Sequence, residues 1–470
     1  MSRGQRAAGS GNIPSLVERR RPASDRAQIQ SGAVSSHRRL GEWTRGQLPL
    51  LKLLAVQLLV IGAGAALLKL TVAPVPDSST SAATTTVATA ATTTEATTEA
   101  SKLTGDAAVG SASTTIATTT TAAATTTTDT APPDGKTSAE RRLVSSFMVN
   151  SEHLQPKSIV SSETGLFFAQ NMMYRHNMMV FDRAGNVITL IPDNVDLAAY
   201  GIADGVQAQG SPVEAVFTPD GSYVYVSNYK MYGDGFDPSA SDDCDRGTWD
   251  DSYIYKINTT SFKIEKVIAT GSVPKFMAIT PDGRRLLVSN WCGFDVSVIN
   301  LATDTEVTRI DVGRHPRGIA ITQNSRYAYV TIMGEDKILK LDLSGNYVVS
   351  SVGHAGRTPR HLQLSPDDRY LYVSNNYENL IRKIDLQTNS EVGTAATGVQ
   401  PRTMAISDDG ESLYVVNYED GTISKVRTYD MTILQTEHSG YHPVGVTYDK
   451  ATRQVWVANY AGSLHVFVDQ

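Results

Sequence analysis

Five basic side chains sit at one kind of place in this chain. Lys157, Lys275, Arg317, Arg360 and Arg402 each follow a proline, in the pairs Pro156-Lys157, Pro274-Lys275, Pro316-Arg317, Pro359-Arg360 and Pro401-Arg402. Repeats wrapped around an axis would bring such side chains together at one mouth. Arginine matches carboxylates and phosphates bidentately, and converging charge in a concave opening focuses the field on an anion. The chemistry expected is therefore capture of an anionic ligand. The competing reading is structural, with each cation tied to an acid or carbonyl of a neighbouring repeat. A second set is Asn228, Asn290, Asn375, Asn417 and Asn459, each ending an apolar run, as does Asn171. These amides either face a ligand or close a strand end with side-chain hydrogen bonds. His315, His361 and His442 lie beside the basic pairs, but no HExxH or close His-x-His spacing accompanies them. No metal site and no cofactor is expected on that pattern.

The elements that would position these groups are legible in a period. Prolines 274, 316, 359, 401 and 443 are about 42 residues apart, the length of a propeller blade. Within the unit that opens at Pro274, FMAIT (276–280) alternates as a strand and Pro281-Asp282-Gly283 makes a turn. LLVSN (286–290), DVSVIN (295–300) and TEVTRIDV (305–312) supply three more strands. Four strands per unit and seven units opening at Pro156, Pro212, Pro274, Pro316, Pro359, Pro401 and Pro443 predict an all-β, seven-bladed β-propeller over 141–470. The last unit stops after its third strand. Leu143–Val149, which has no place in the first unit, is expected to complete it, because an open blade leaves an unpaired edge.

In this layout the basic pairs, the asparagines and the loops between second and third strands share one face, the top. The second strands YVYVSN (223–228), LYVSN (371–375), LYVVN (413–417) and VWVAN (455–459) resemble the YVTN-repeat family of β-propeller surface proteins. The resemblance spans about 155–470. It implies the fold, and a family that includes both binders and enzymes.

An insertion at 229–251 carries Asp234, Asp237, Asp242, Asp243, Asp245, Asp250 and Asp251. It reads as a solvated acidic loop or, alternatively, a calcium loop. It also holds Cys244, while Cys292 lies in the corresponding loop of the next unit; these are the only two cysteines. Adjacent loops on one face predict a disulfide in an oxidising compartment, with two free thiols as the alternative.

The rest of the chain is of a different kind. Residues 1–47 are basic and aperiodic and read as a disordered cytoplasmic tail. The apolar run at 48–75, with its core Leu53 to Leu68 between Lys52 and Lys69, reads as one transmembrane helix. Residues 76–140 are a low-complexity Thr/Ala-rich linker, a stalk or plain spacer. The arginine excess before the helix places the propeller outside, and the long leader favours a retained anchor over a cleaved signal. A net charge of −6 argues against nucleic acid as a partner.

Together these features predict a membrane-anchored extracellular binding module whose basic funnel holds an anionic small molecule, glycan or protein partner. Two alternatives stand beside it. One is a lactonase- or lyase-type propeller enzyme using Glu335, Glu378 or Glu419 with a histidine. The other is a purely structural cell-surface scaffold.

Overall fold

The computed structural model describes residues 134–470 apart from 173–174, 204, 238–242 and 348. The expected tail, membrane helix and most of the linker lie outside the described residues, as does Asp242. Among the described residues no helix is long and apolar enough to cross a membrane.

The described chain is a β-propeller. It forms seven four-stranded antiparallel sheets, six of them built from four strands consecutive in the main repeat. Their first strands contact one another in an unbroken order, from Ser158–Ser161 through Pro212–Phe217, Pro274–Ile279, Pro316–Ile321, Pro359–Leu364 and Pro401–Ile406 to Pro443–Asp449, which returns to Ser158–Ser161. The strands expected in the Pro274 unit appear at Pro274–Ile279, Arg285–Asn290, Asp295–Asn300 and Thr305–Asp311. Burial explains their composition. Second strands such as Arg285–Asn290 are buried on both faces and read as continuous apolar runs, while the outer Thr305–Asp311 alternates. Apolar layers fill the space between neighbouring sheets: Leu287, Val296 and Val298 of one pack with Ile319, Val330 and Leu341 of the next.

The last sheet is completed as the sequence predicts. Leu143–Asn150 pairs antiparallel with Ser463–Asp469, from Leu143 against Asp469 to Asn150 against Ser463. The chain therefore enters at the bottom face. Phe147 and Phe167 both pack on the buried Trp456, edge-on at 5.6 Å and stacked at 4.1 Å. Part of the segment assigned by composition to the linker is docked here. Asp134 pairs with Arg141 and Arg453, and the buried Ser138 hydroxyl donates to Asp409.

One addition has no counterpart in the sequence reading. A small sheet joins Asn194–Asp196, Gln207–Gln209 and Tyr232–Gly233, linking the connection between the first two blades to the start of the 229–251 insertion.

Candidate functional site

Six of the seven first strands start at the top with their proline opposite the last residue of the second strand, among them Pro274 opposite Asn290, Pro359 opposite Asn375, Pro401 opposite Asn417 and Pro443 opposite Asn459. The residue before the proline takes a left-handed backbone at Val273, His315, Thr358, Gln400 and His442, with φ between 53° and 60° at His442 and His315. Residues preceding proline normally prefer extended backbone, so these entrances are strained. Top-loop side chains hold them in place. Glu335 accepts from the Arg314 N–H, Glu378 from Arg357, Asp336 from Thr358, Asn379 from Gln400 and Asp420 from Val399, at 2.6–2.9 Å. Glu335 and Glu378, considered above as catalytic carboxylates, are thus committed to backbone and to Lys337 and Arg382. Glu419 faces His442 at 3.7 Å.

The asparagines work inside the blades. All five are fully buried. Asn375 donates to Ala355 and Arg357 carbonyls, Asn459 to Ser439, Asn228 to Tyr253, Asn290 to Asp295 and Ser297, and Asn417 to Thr422 and Ser424. A Cβ on Gly440 would stand 2.6 Å from Asn459, which is why a glycine lies three residues before the proline there.

The basic residues stay at the mouth of the axis. Their backbone carbonyls make the ties between blades: Ser289 donates to Arg317, Thr331 to Arg360 and Ser374 to Arg402. Where the second strand lacks that hydroxyl, the first strand supplies it, from Ser158 to Val213 and from Thr403 to Val444. At the three arginines, then, the tie between blades uses the backbone carbonyl of the basic residue.

The heads lie among aromatic faces. Lys157 sits 4.4 Å from the Tyr460 ring, Lys275 4.1 Å from Tyr229, and the Arg402 guanidinium 3.3 Å from Tyr418. Trp291 stacks on His315 at 4.2 Å and Tyr418 on His442 at 4.1 Å. Arg317, Arg360 and Arg402 feel one another's charge. Burial, then Arg317 and Arg402, disfavour the charged form of Arg360; burial also draws Arg402 down to about 10. Among the described residues neither Arg360 nor Arg402 forms an ion pair with a carboxylate, and the buried Arg402 Nε has no hydrogen-bond partner.

One residue further along each first strand lies a layer the sequence reading missed. It comprises Ser158, Glu214, Phe276, Gly318, His361, Thr403 and Gly445. Phe276 and His361 meet edge to face at 5.1 Å, although their strands are not neighbours, so they narrow the channel. His361 is buried and its Nδ1 accepts from the Met404 N–H; burial and then Arg317 and Arg360 push it down to about 3, so it is neutral. Burial pushes Glu214 up to about 7 against the opposing pull of Arg317, Ser158, Arg360 and Lys157. These residues, apart from Gly318, line a cavity of about 240 Å³ that continues to Gln363, Thr447 and Tyr448. Residue type in this column changes from unit to unit of the repeat, so no recurring motif marks it.

Cys244 and Cys292 form a disulfide with Cα atoms 5.7 Å apart, buried among Met172, Val213, Tyr229 and Val273. The insertion's acids are largely paired off. Asp243 meets Arg314, Asp251 meets Arg309, and Asp250 accepts from the Asp237 N–H. Among the described residues no group of three or more His, Cys, Asp or Glu is placed to hold a metal ion.

The fold and the axial site define a β-propeller with a polar, cation-rich top face. Residues 251–453 match the model of the YNCE-like beta-propeller family, in agreement with the YVTN-type resemblance of the second strands. The matched stretch includes Lys275, Arg317, Arg360 and Arg402 but neither Lys157 nor Glu214. No curated protein matches the chain.

Proposed function

We propose that the chain is a membrane-anchored, seven-bladed β-propeller that binds an anionic ligand in the top of its axial channel, outside the cell. The observation that carries this reading is the arginine cluster. Arg317, Arg360 and Arg402 lie within one another's field at the axis, and the last two have no carboxylate ion pair among the described residues. Like charges held together cost stability, and an oxyanion group (carboxylate, sulfate or phosphate) entering between them offsets that cost. The aromatic rings around the heads suit the body of such a ligand. The disulfide supports an oxidising compartment.

Calorimetric titration of the full-length protein with sulfate, and with a homopolymer of uronic acid, at low ionic strength tests this reading. Binding that weakens with salt and falls at least about tenfold in Arg360→Gln supports it. No binding of either probe, or binding indifferent to Arg360→Gln, contradicts it. One observation favours a second reading, a lyase- or lactonase-type enzyme: Glu214 titrates at about 7, where a general acid–base works best. Turnover of a lactone or uronide that is lost in Glu214→Gln would select it.

A further inference from the structure

The funnel reading leaves one group unexplained, a carboxylate placed among the cations that are to receive the ligand. Glu214 projects from the strand Pro212–Phe217 into the channel and lines the axial cavity with Ser158, Phe276 and His361. The charged groups around it come from every neighbouring direction. Lys157 leads into the strand on one side, and Lys275 and Phe276 occupy the strand on the other. Arg317 and Arg360 reach it from farther round the ring. Behind it, the Ser227 hydroxyl faces only its backbone carbonyl, at 3.5 Å. His361 is neutral and adds no charge. Glu214 contributes to holding Arg360 in its charged form, against burial and the charges of Arg317 and Arg402.

We propose that Glu214 is the internal counter-anion of the arginine cluster, and that an oxyanion entering the funnel takes over this role while Glu214 takes up a proton. This inference rests on the anion-binding reading and specifies how that site is regulated. With ligand absent, an ionised Glu214 partly neutralises Arg317 and Arg360. With ligand present, two anions compete for the same cations, and the weaker acid yields by accepting a proton from solvent. No bond other than the O–H bond on Glu214 is made. Because Glu214 titrates near neutrality, the exchange operates in the ordinary pH range. The sign follows directly. Below about pH 7 the carboxyl is already neutral and the cluster carries its full charge, so anions bind tightly. Above it, each unit of pH costs up to about tenfold in affinity.

The experiment is calorimetric titration of the full-length protein with sulfate, an anion that does not itself titrate near neutrality. It is repeated in buffers of different ionisation enthalpy at about pH 6 and about pH 8. The expected result is uptake of close to one proton per sulfate at the higher pH, little at the lower, and weaker binding at the higher. Glu214→Gln should abolish the uptake and restore the higher-pH affinity to the acid-side value. The wild-type proton count needs no variant, so a Glu214→Gln protein that failed to fold would not remove the test. Sulfate binding without proton uptake, or with the same pH dependence in Glu214→Gln, overturns the inference while leaving the anion site standing. Failure of the wild-type protein to bind sulfate at either pH overturns the inference, and, together with failure to bind the uronic-acid polymer, overturns the anion site as well.

Discussion

At the scale of single residues, the channel sets two ionisable groups in opposition. Glu214 is raised from 4.5 to about 7, so the folded state binds its proton more tightly than the unfolded state does. Its favourable contribution is present below about 4.5 and is lost as pH rises to about 7. Glu214→Gln should therefore raise the melting temperature at about pH 8, by about 2–4 °C, and change it little at about pH 4. A uniform shift across pH, read by scanning calorimetry, would contradict this. His361 behaves oppositely. Lowered from 6.5 to about 3, it resists protonation in the fold, so stability falls as pH drops from 6.5 towards 3. His361→Gln should flatten that acid-side loss, measured by the same method.

At the scale of elements, a tyrosine–lysine pair recurs across the second and third strands: Tyr225 with Lys256, Tyr329 with Lys340, Tyr372 with Lys383 and Tyr414 with Lys425. Each lysine extends along an aromatic face. Two of these pairs reach an aspartate in the next blade. Asp304 binds Lys256 and Tyr225 at 2.8 and 2.9 Å, and Asp469 binds Lys425 and Tyr414. Asp469 and Lys425 are both fully buried, beside the strand that closes the last sheet. Asp469→Asn strands a buried cation and should cost about 3–5 kcal/mol, whereas Lys425→Met with Asp469→Leu should cost much less. Equal losses in urea unfolding would refute the pairing. Deleting 141–152 removes the strand Leu143–Asn150 and should sharply lower the melting temperature; an unchanged value would show that the edge tolerates exposure.

The same scale shows what could be read beforehand. Strands and closure were legible because alternation, the Pro-Asp-Gly turn and the Pro-basic pair recur at fixed spacing. The small sheet at 194–209 and 232–233 was not, because its strands are only two or three residues long, too short for alternation to stand out. Glu214 was missed because it occupies the irregular column, where no repeat reinforces the signal. The asparagines recurred clearly, but recurrence alone did not distinguish a ligand contact from a strand closure; in the structure all five are buried and donate within their own blades.

At the scale of the whole molecule, the top face combines strained strand entrances, an aromatic collar and a disulfide-pinned insertion around one basic opening. The disulfide closes a 48-residue separation, and on a chain-entropy account contributes about 4 kcal/mol. Cys244→Ser with Cys292→Ser should lower the melting temperature and speed hydrogen exchange in residues 243–251 more than in the opposite blades. An unchanged exchange pattern would mean that Trp249, Tyr229 and their neighbours hold the insertion unaided. The central claim is that the arginine cluster exists to receive an anion. Its most direct test is a crystal structure of the protein grown in selenate, read in the anomalous map. The account predicts a peak on the axis, within hydrogen-bonding distance of the Arg360 and Arg402 guanidinium groups. An axis holding only water, with those guanidinium groups turned onto carboxylates of adjacent blades, would contradict it.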